Sequence, residues 1–143
     1  MSVKVKLIRS EDGQFTIDLG SKALPRITYN PMALDPEVRK EEHMGERLML
    51  AAALACYVNT LAGDLKRGEA SRVAEIRAEA ETVKEKGSDL RTRFTSVDLA
   101  VETEVAEEDM KLFESVRQSL LRGSLTTYSL EEGIEFNYDI EAV

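Results

Sequence analysis

The prediction of the fold begins at Leu48-Met49-Leu50-Ala51-Ala52-Ala53-Leu54-Ala55-Cys56-Tyr57-Val58. Alanine and leucine favour helix, and this stretch is apolar on every side of that helix. A helix that is apolar all round is normally buried. The stretch is shorter than the roughly 20 apolar residues that span a membrane, so we expect burial against protein. The predicted helix runs over residues 45–62, with Gly63 as its stop.

Short alternating runs on the N-terminal side of this helix predict a hairpin and a third strand. Apolar and polar residues alternate from Val3 to Leu7, an Asp-Gly turn follows at residues 12–13, and alternation resumes from Phe15 to Leu19. Residues 26–29 form a further short run that we interpret as a strand. The Asn-Pro and Asp-Pro pairs that follow favour turns.

The segment after the helix predicts a second hairpin. Residues 71–84 are ambiguous, because their Ala and Glu content favours helix whereas the alternation from Ile76 to Val83 favours a strand with one wet face. We choose strand because residues 97–105 alternate plainly. A Gly-Ser-Asp turn at residues 87–89 joins the two runs.

The last third of the chain predicts a second helix and a final strand. Three acids at residues 107–109 open the helix, where negative charge suits the positive end of the helix dipole. The resulting order, β-β-β-α-β-β-α-β, is an α+β fold in a single domain of residues 1–143. Its parts are an N-terminal hairpin and third strand (1–30), a central helix (45–62), a second hairpin (71–105), a second helix (107–122) and a last strand (134–141).

Composition excludes several classes of partner. The chain has 143 residues, enough for one domain with a real core. Its 19 Lys and Arg against 27 Asp and Glu give a net charge of −8. Such a surface repels phosphate groups, so we expect no nucleic-acid partner and no membrane. The N-terminal residues lack the apolar run of a signal peptide, so we expect a cytoplasmic protein.

The chain has one cysteine, Cys56, and one histidine, His43. An intramolecular disulfide is therefore impossible, and a zinc site made of Cys and His ligands is disfavoured. We expect no metal and no cofactor. Catalysis by a Cys–His or Ser–His pair would have to use His43.

Cys56 is the one position at which a catalytic role has to be weighed against a role in packing alone. The plain interpretation is a small apolar side chain in a buried helix. No Lys or Arg stands within one helical turn of Cys56, so nothing local lowers its pKa. A reactive thiolate would need cationic help from elsewhere in the fold.

The segment Glu46-Arg47-Leu48-Met49-Leu50-Ala51-Ala52-Ala53-Leu54-Ala55-Cys56, followed by Thr60-Leu61, resembles the central helix of the OsmC/Ohr family. Those proteins carry a Glu, an Ala-rich apolar stretch and then Ala-Cys, and the order of elements agrees. The resemblance implies a swapped homodimer with two long central helices buried between antiparallel sheets. It also implies peroxiredoxin-like, thiol-dependent reduction of organic hydroperoxides in an oxidative stress response.

The resemblance further implies the site residues. The family's peroxidatic cysteine matches Cys56, and its catalytic Glu, ten residues earlier, matches Glu46. An Arg from the N-terminal hairpin completes the family's site, with Arg9 as the best positional match and Arg26 as the fallback. That Arg would favour the thiolate, and the Glu would hold the Arg in place.

Helix geometry constrains this site. Ten residues along one α-helix span roughly 15 Å and place the two side chains about 80° apart. Glu46 and Cys56 of one straight helix therefore cannot touch. Either the helix breaks near its start or the Glu comes from a two-fold partner, in which case the dimer completes the site.

One motif of the family is missing. Its second motif, Cys-Pro-x-Ser, falls where this chain has Ser124 and Leu125. Serine cannot condense with a sulfenic acid, which excludes a two-cysteine cycle. Two hypotheses remain. The first is a one-cysteine peroxidase that reduces small apolar hydroperoxides through Cys56 and is recycled by an external thiol. The second is a non-catalytic dimer that binds a small apolar ligand or has a structural role.

Overall fold

The alternating N-terminal runs form an antiparallel sheet. The computed structural model describes residues 2–143 and divides into a unit that ends at Gly45 and a unit from Glu46 to Val143. In the first unit the strands pair in the order β1 (Lys6–Arg9), β2 (Phe15–Asp18) and β3 (Ile27–Tyr29). The rings of Phe15 and Tyr29 stack across β2 and β3, with 4.9 Å between their centres. The predicted hairpin and third strand are thus confirmed.

Helical elements follow where the sequence favours turns. A 3-10 turn covers Pro31–Ala33, and helix α1 covers Pro36–Glu42. Pro36 occupies the first turn of α1, where its fixed φ and missing N–H fit a helix start. His43 adopts the left-handed conformation, with φ of 45°, and ends α1.

The central helix α2 runs from Met44 to Arg67, past the stop predicted at Gly63. Its buried face consists of residues spaced four apart, Ala53, Tyr57, Leu61 and Leu65. A glycine inside a helix costs about 1 kcal/mol. Burial of a leucine side chain contributes about 1.5–3 kcal/mol, so the burial of Leu65 carries the helix beyond Gly63.

The helical stretch Pro36–Arg67 is long and apolar enough to cross a membrane, by length and composition alone. The 11-residue run from Leu48 to Val58 that predicted the fold is only the apolar middle of this longer stretch. Core helices of soluble proteins pass the same test, and Tyr57 and Leu61 pack in the protein core. Only 22% of the most apolar window is buried within the single chain, so the predicted burial on all sides is not reached.

The second sheet has the order β4 (Ile76–Lys86), β5 (Thr92–Thr103) and β6 (Glu135–Ala142). Strands β4 and β5 pair antiparallel, which settles the ambiguity of residues 71–84 in favour of strand. Strand β6 pairs parallel to β5. The second sheet is therefore mixed, which corrects the prediction of antiparallel sheets. The cause is the connection from β5 to β6, a helical crossover that brings the chain back to the same end of the sheet.

That crossover contains two helices. A 3-10 turn at Glu107–Asp109 leads into α3 (Met110–Leu120), and α4 (Leu125–Leu130), which the sequence did not predict, follows. The buried faces of α2 and α3 pack with the inner face of the second sheet. The core they form comprises Ala53, Tyr57, Leu61, Leu65, Val97, Leu99, Val101, Phe113, Val116, Leu120, Phe136 and Ile140. The predicted α+β class is confirmed.

Candidate functional site

Cys56 lies at the edge of the buried face of α2. The next residue, Tyr57, is fully buried, the preceding residue, Ala55, is exposed, and Cys56 is half-buried as a free cysteine. The side chain therefore stands between the core and the open face of the helix. This position combines partial shielding of the thiol with access from outside.

Residues at the start of α4 influence the acidity of the Cys56 thiol. Hydrogen bonding from the side chains of Thr126 and Ser124 and from the backbone of Thr126 and Leu125 lowers the pKa of the thiol. These residues lie about 70 positions further along the chain than Cys56. The fold therefore brings to the thiol a set of donors that no local sequence pattern indicates.

These donors change the acidity of the thiol. Burial disfavours the thiolate, but the hydrogen bonds from Thr126 and Ser124 outweigh it and hold the pKa of the Cys56 thiol below its ordinary value. The groups that lower the pKa are uncharged, and the cationic help that the sequence analysis called for stays a prediction. A lowered pKa raises the thiolate fraction at neutral pH, and thiolate is the nucleophilic form.

Ser124 occupies the position just before α4 and is buried. Its backbone N–H donates to Thr127 Oγ1 at 2.8 Å, and the two hydroxyl oxygens lie 3.3 Å apart. Thr127 is fully buried. This pairing fixes the start of α4, and with it the donors that face Cys56.

Gly123 leaves open the space beside these hydroxyls. A Cβ at Gly123 would lie 2.9 Å from both Thr127 Oγ1 and the Tyr138 hydroxyl, and 3.1 Å from Glu131 Oε1. Its φ of +85° also suits glycine. Three oxygen atoms thus converge on a point that a larger residue would occupy.

Two tyrosines form the wall behind the hydroxyls. The rings of Tyr57 and Tyr138 stack with their centres 5.0 Å apart. The Tyr57 hydroxyl donates to the Leu120 carbonyl oxygen at 2.6 Å, and the Tyr138 hydroxyl donates to Glu131. Burial raises the pKa of both phenols, so both remain protonated donors at neutral pH.

Glu46 lies near the start of α2 and contacts strand β4. Lys84 Nζ is 2.7 Å from a Glu46 carboxylate oxygen, and the Thr82 hydroxyl donates to the other. Helix α2 is continuous from Met44 to Arg67, so it does not break between Glu46 and Cys56. Within one chain the two predicted catalytic side chains are therefore separated by roughly 15 Å along the helix.

The two candidate arginines belong to the unit that ends at Gly45. Arg9 lies in β1, with its guanidinium 6.0 Å from the centre of the Phe15 ring. Arg26 lies 3.6 Å from Asp18, and both of those side chains are exposed. A role for Arg9 or Arg26 beside Cys56 stays a prediction.

No metal centre is formed in the part of the chain that the structure describes. Across residues 2–143, no group of three or more His, Cys, Asp or Glu side chains is arranged to hold a metal ion. Sequence reasoning missed Thr126, Thr127, Tyr138 and Lys84 as site residues. The Ser-x-x-Thr spacing at residues 124–127 was the one signal available, because it resembles a capping box at a helix start.

The fold has solved counterparts, although no family model and no curated protein matches the sequence. An OsmC-like protein from Mycoplasma pneumoniae superposes with a TM-score of 0.72 at 13% identity, over 100% of this chain and 98% of that one. The organic hydroperoxide resistance protein OhrB of Bacillus subtilis gives a TM-score of 0.60 at 16% identity, covering 99% and 98%.

An OsmC-like protein of Vibrio cholerae is similar over comparable lengths, with a TM-score of 0.66, 14% identity and 98% and 97% of the two chains covered. At such low identity the likeness shows a common fold. The chain therefore has the OsmC/Ohr fold, as the resemblance of its central helix implied.

Proposed function

We propose that this chain, which has the fold of OsmC-like and organic hydroperoxide resistance proteins, is a one-cysteine thiol peroxidase acting through Cys56. The observation that supports this proposal is the half-buried position of the free Cys56 thiol at the edge of the buried face of α2, where residues at the start of α4 lower its pKa. They favour the thiolate, and a thiolate with partial exposure is a competent nucleophile. Two of the solved counterparts named above are OsmC-like proteins and one is an organic hydroperoxide resistance protein.

The reaction needs one thiolate and an external reductant. The Cys56 thiolate attacks the distal oxygen of an organic hydroperoxide, the O–O bond breaks, and the alkoxide takes up a proton and leaves as an alcohol. The sulfur keeps the other oxygen as a sulfenic acid. Because Ser124 cannot resolve it, an external thiol attacks the sulfenic sulfur, water leaves, and a mixed disulfide forms. A second thiol then releases Cys56 and completes the two-electron reduction.

We propose that the working unit is a homodimer built on the open face of α2. Residues Ala51, Ala52 and Ala55 are exposed on that face within the single chain. Covering such a face removes apolar surface from water. A two-fold, antiparallel pairing of α2 would bring Glu46 of the partner subunit towards Cys56, which the continuous helix prevents within one chain.

Lys84 enters this proposal as a source of positive charge. It pairs with Glu46 at 2.7 Å, so a partner that supplies Glu46 also supplies Lys84. An ammonium near the reacting oxygens would steady the departing alkoxide. Arg9 and Arg26 stay as candidates for the same task, and mutation distinguishes the three.

We propose a small apolar hydroperoxide as substrate and the cytoplasm as the location. The side chains beside Cys56 on the open face of α2 are alanines. Such apolar side chains favour a hydroperoxide that carries an alkyl or aryl group over hydrogen peroxide. A lone thiol with no disulfide partner in the chain suits a reducing compartment.

Turnover with two peroxides tests the proposal. Cumene hydroperoxide and hydrogen peroxide are each followed in the presence of dithiothreitol, with wild-type protein and Cys56→Ser. We expect consumption that depends on Cys56 and is faster with cumene hydroperoxide. Equal consumption by wild type and Cys56→Ser would favour the alternative, a non-catalytic dimer that binds an apolar ligand.

A further inference from the structure

Met32 places its sulfur against a charged group within the N-terminal unit. The residue lies in the 3-10 turn Pro31–Ala33 and is 51% exposed. Nη1 of Arg39, which belongs to α1, donates to Met32 Sδ at 3.3 Å. A methionine that only fills apolar space has no such donor, so the contact distinguishes Met32 from a core methionine.

The position of Met32 is fixed from two further sides. Its backbone N–H donates to Asn30 Oδ1 at 2.9 Å, which begins the 3-10 turn. Its side chain covers Gly13, where a Cβ would overlap Met32 Cγ. Gly13 also has a φ of +93°, which favours glycine. The thioether is therefore held in one place although half of the residue is open to solvent.

Arg39 is fixed as well and keeps unused donors. Its Nη2 donates to the Leu34 carbonyl oxygen at 3.2 Å. Its Nε is enclosed and has no hydrogen-bond partner in the part of the chain that the structure describes. A guanidinium carries more N–H hydrogens than these contacts use, and it stays charged at every physiological pH. Arg39 can thus donate to an additional acceptor that arrives at the sulfur.

A thioether beside a fixed cation is suited to oxygen transfer. Peroxides convert methionine to methionine sulfoxide, and the sulfur supplies the electron pair. The Arg39 contact occupies one lone pair of the sulfur and leaves the other free. As the O–O bond of a peroxide breaks, negative charge develops on the departing oxygen, and a donor held nearby stabilises that charge.

We propose that Met32 is a site of oxidation by organic hydroperoxides and that Arg39 promotes the reaction. The site needs neither Cys56 nor a second copy of the chain, because its contacts all lie within the N-terminal unit. It therefore goes beyond the proposed peroxidase reaction, and either proposal can fail without the other.

The reaction balances with the hydroperoxide as the oxidant. The sulfur of Met32 attacks the distal oxygen, the O–O bond breaks, and the alkoxide leaves with the bonding pair. The proton on the transferred oxygen passes to the alkoxide, which gives an alcohol and the sulfoxide. The sulfur loses two electrons and the hydroperoxide gains them. The sulfoxide oxygen is a stronger acceptor than the thioether, so Arg39 also stabilises the product.

The test follows sulfoxide formation at individual methionines by peptide mass spectrometry, with tert-butyl hydroperoxide as the oxidant. Met110 is the internal control, because it is 44% exposed and the described residues supply no donor to its sulfur. Hydrogen bonds from a cation are the stronger ones, so we expect Met32 to oxidise roughly threefold to tenfold faster than Met110. The same ratio is expected in wild type and in Cys56→Ser.

Variants of Arg39 assign the cause. Arg39→Gln should slow oxidation of Met32 to about the rate of Met110, whereas Arg39→Lys keeps the charge and should retain part of the acceleration. Met110 should react at an unchanged rate in both variants, which also reports that its unit stays folded. Equal rates at Met32 and Met110 in the wild-type protein would overturn the proposal without recourse to any variant. So would a Met32 rate that Arg39→Gln leaves unchanged, or a preference for Met32 that disappears in Cys56→Ser.

Discussion

Lys84 Nζ lies 2.7 Å from a carboxylate oxygen of Glu46, and only 13% of the Glu46 side chain is exposed. The ammonium also lies 5.9 Å from the centre of the Phe94 ring, on the paired strand. This contact ties the start of the cysteine helix α2 to strand β4. Removing Lys84 would therefore leave a largely buried carboxylate without this cation.

Lys84→Met should destabilise the protein. We expect a loss of about 1–3 kcal/mol in the free energy of unfolding, measured by urea denaturation, because the largely buried Glu46 carboxylate loses its charged contact with Lys84. Lys40→Met is the matched control, since its 3.0 Å pair with Glu37 is solvent-exposed. Exposed pairs contribute little, so that control should lose less than about 0.5 kcal/mol. Equal losses would show that the Lys84–Glu46 pair contributes no more to stability than the exposed Lys40–Glu37 pair.

Ala55→Glu should prevent dimer formation. Ala55 is exposed on the open face of α2, and a carboxylate there would be buried unpaired if two copies of that face met. Sedimentation equilibrium should show a wild-type dimer and an Ala55→Glu monomer. Ser119→Glu, an exposed change on α3, should remain dimeric. A wild-type monomer would contradict the proposed assembly.

Asp109 should make stability depend on acid pH. The backbone N–H of Ser71 donates to the two carboxylate oxygens of Asp109 at 3.0 and 3.1 Å, and the Ser71 hydroxyl donates to one of them at 2.7 Å. These hydrogen bonds lower the pKa of Asp109. A lowered pKa in the native state means that the unfolded state binds the proton more readily. The stabilisation is therefore present above the ordinary pKa and lost as pH falls through the lowered one.

Asp109→Asn should accordingly be less stable than wild type at pH 7, and the difference should disappear as the pH falls from neutral through the lowered pKa of Asp109. Unfolding curves across that pH range measure it. Glu108→Gln, at an exposed neighbouring position, should show little difference at any pH. A constant deficit of Asp109→Asn at every pH would mean that shape, and not ionisation, is responsible.

The outer face of the second sheet carries directly opposed acids. Glu81 faces Asp98 across β4 and β5, and both are exposed. Like charges at paired positions destabilise a sheet, so Glu81→Lys should raise the free energy of unfolding by about 0.2–1 kcal/mol. Concentrated salt should reduce the gain.

The same substitution at Glu85 gives a control of opposite sign. Glu85 faces Arg93, so Glu85→Lys replaces an attraction with a repulsion and should destabilise. If both substitutions changed stability in the same direction, cross-strand charge would not be the cause.

The strands were predictable because alternation is a local signal. The run that became β5 buries every second residue from Val97 to Thr103, and this alternation can be read from the sequence alone. Helix α1 was missed although Asp35-Pro36 is a good helix start, because the same pair also favours a turn. Helix α4 was missed because Thr126, Thr127 and Ser129 have low helix propensity.

The residues around Cys56 could not be predicted from the neighbouring sequence, and the cause differs from that for the two missed helices. Its donors come from the start of α4, some 70 residues away, and only the path of the chain from β5 through α3 brings them to the sulfur. Ser124 was identified as the residue at the resolving-cysteine position. Its second role, as a donor to the thiol, needed the structure.

Intact mass after peroxide treatment tests the central claim most directly. Wild-type protein is exposed to cumene hydroperoxide with a sulfenic-acid trap such as dimedone, beside Cys56→Ser. A reactive Cys56 predicts a single trap adduct on wild type and none on Cys56→Ser. An unmodified wild-type mass at millimolar peroxide would contradict the assignment of Cys56 as a peroxidatic thiol.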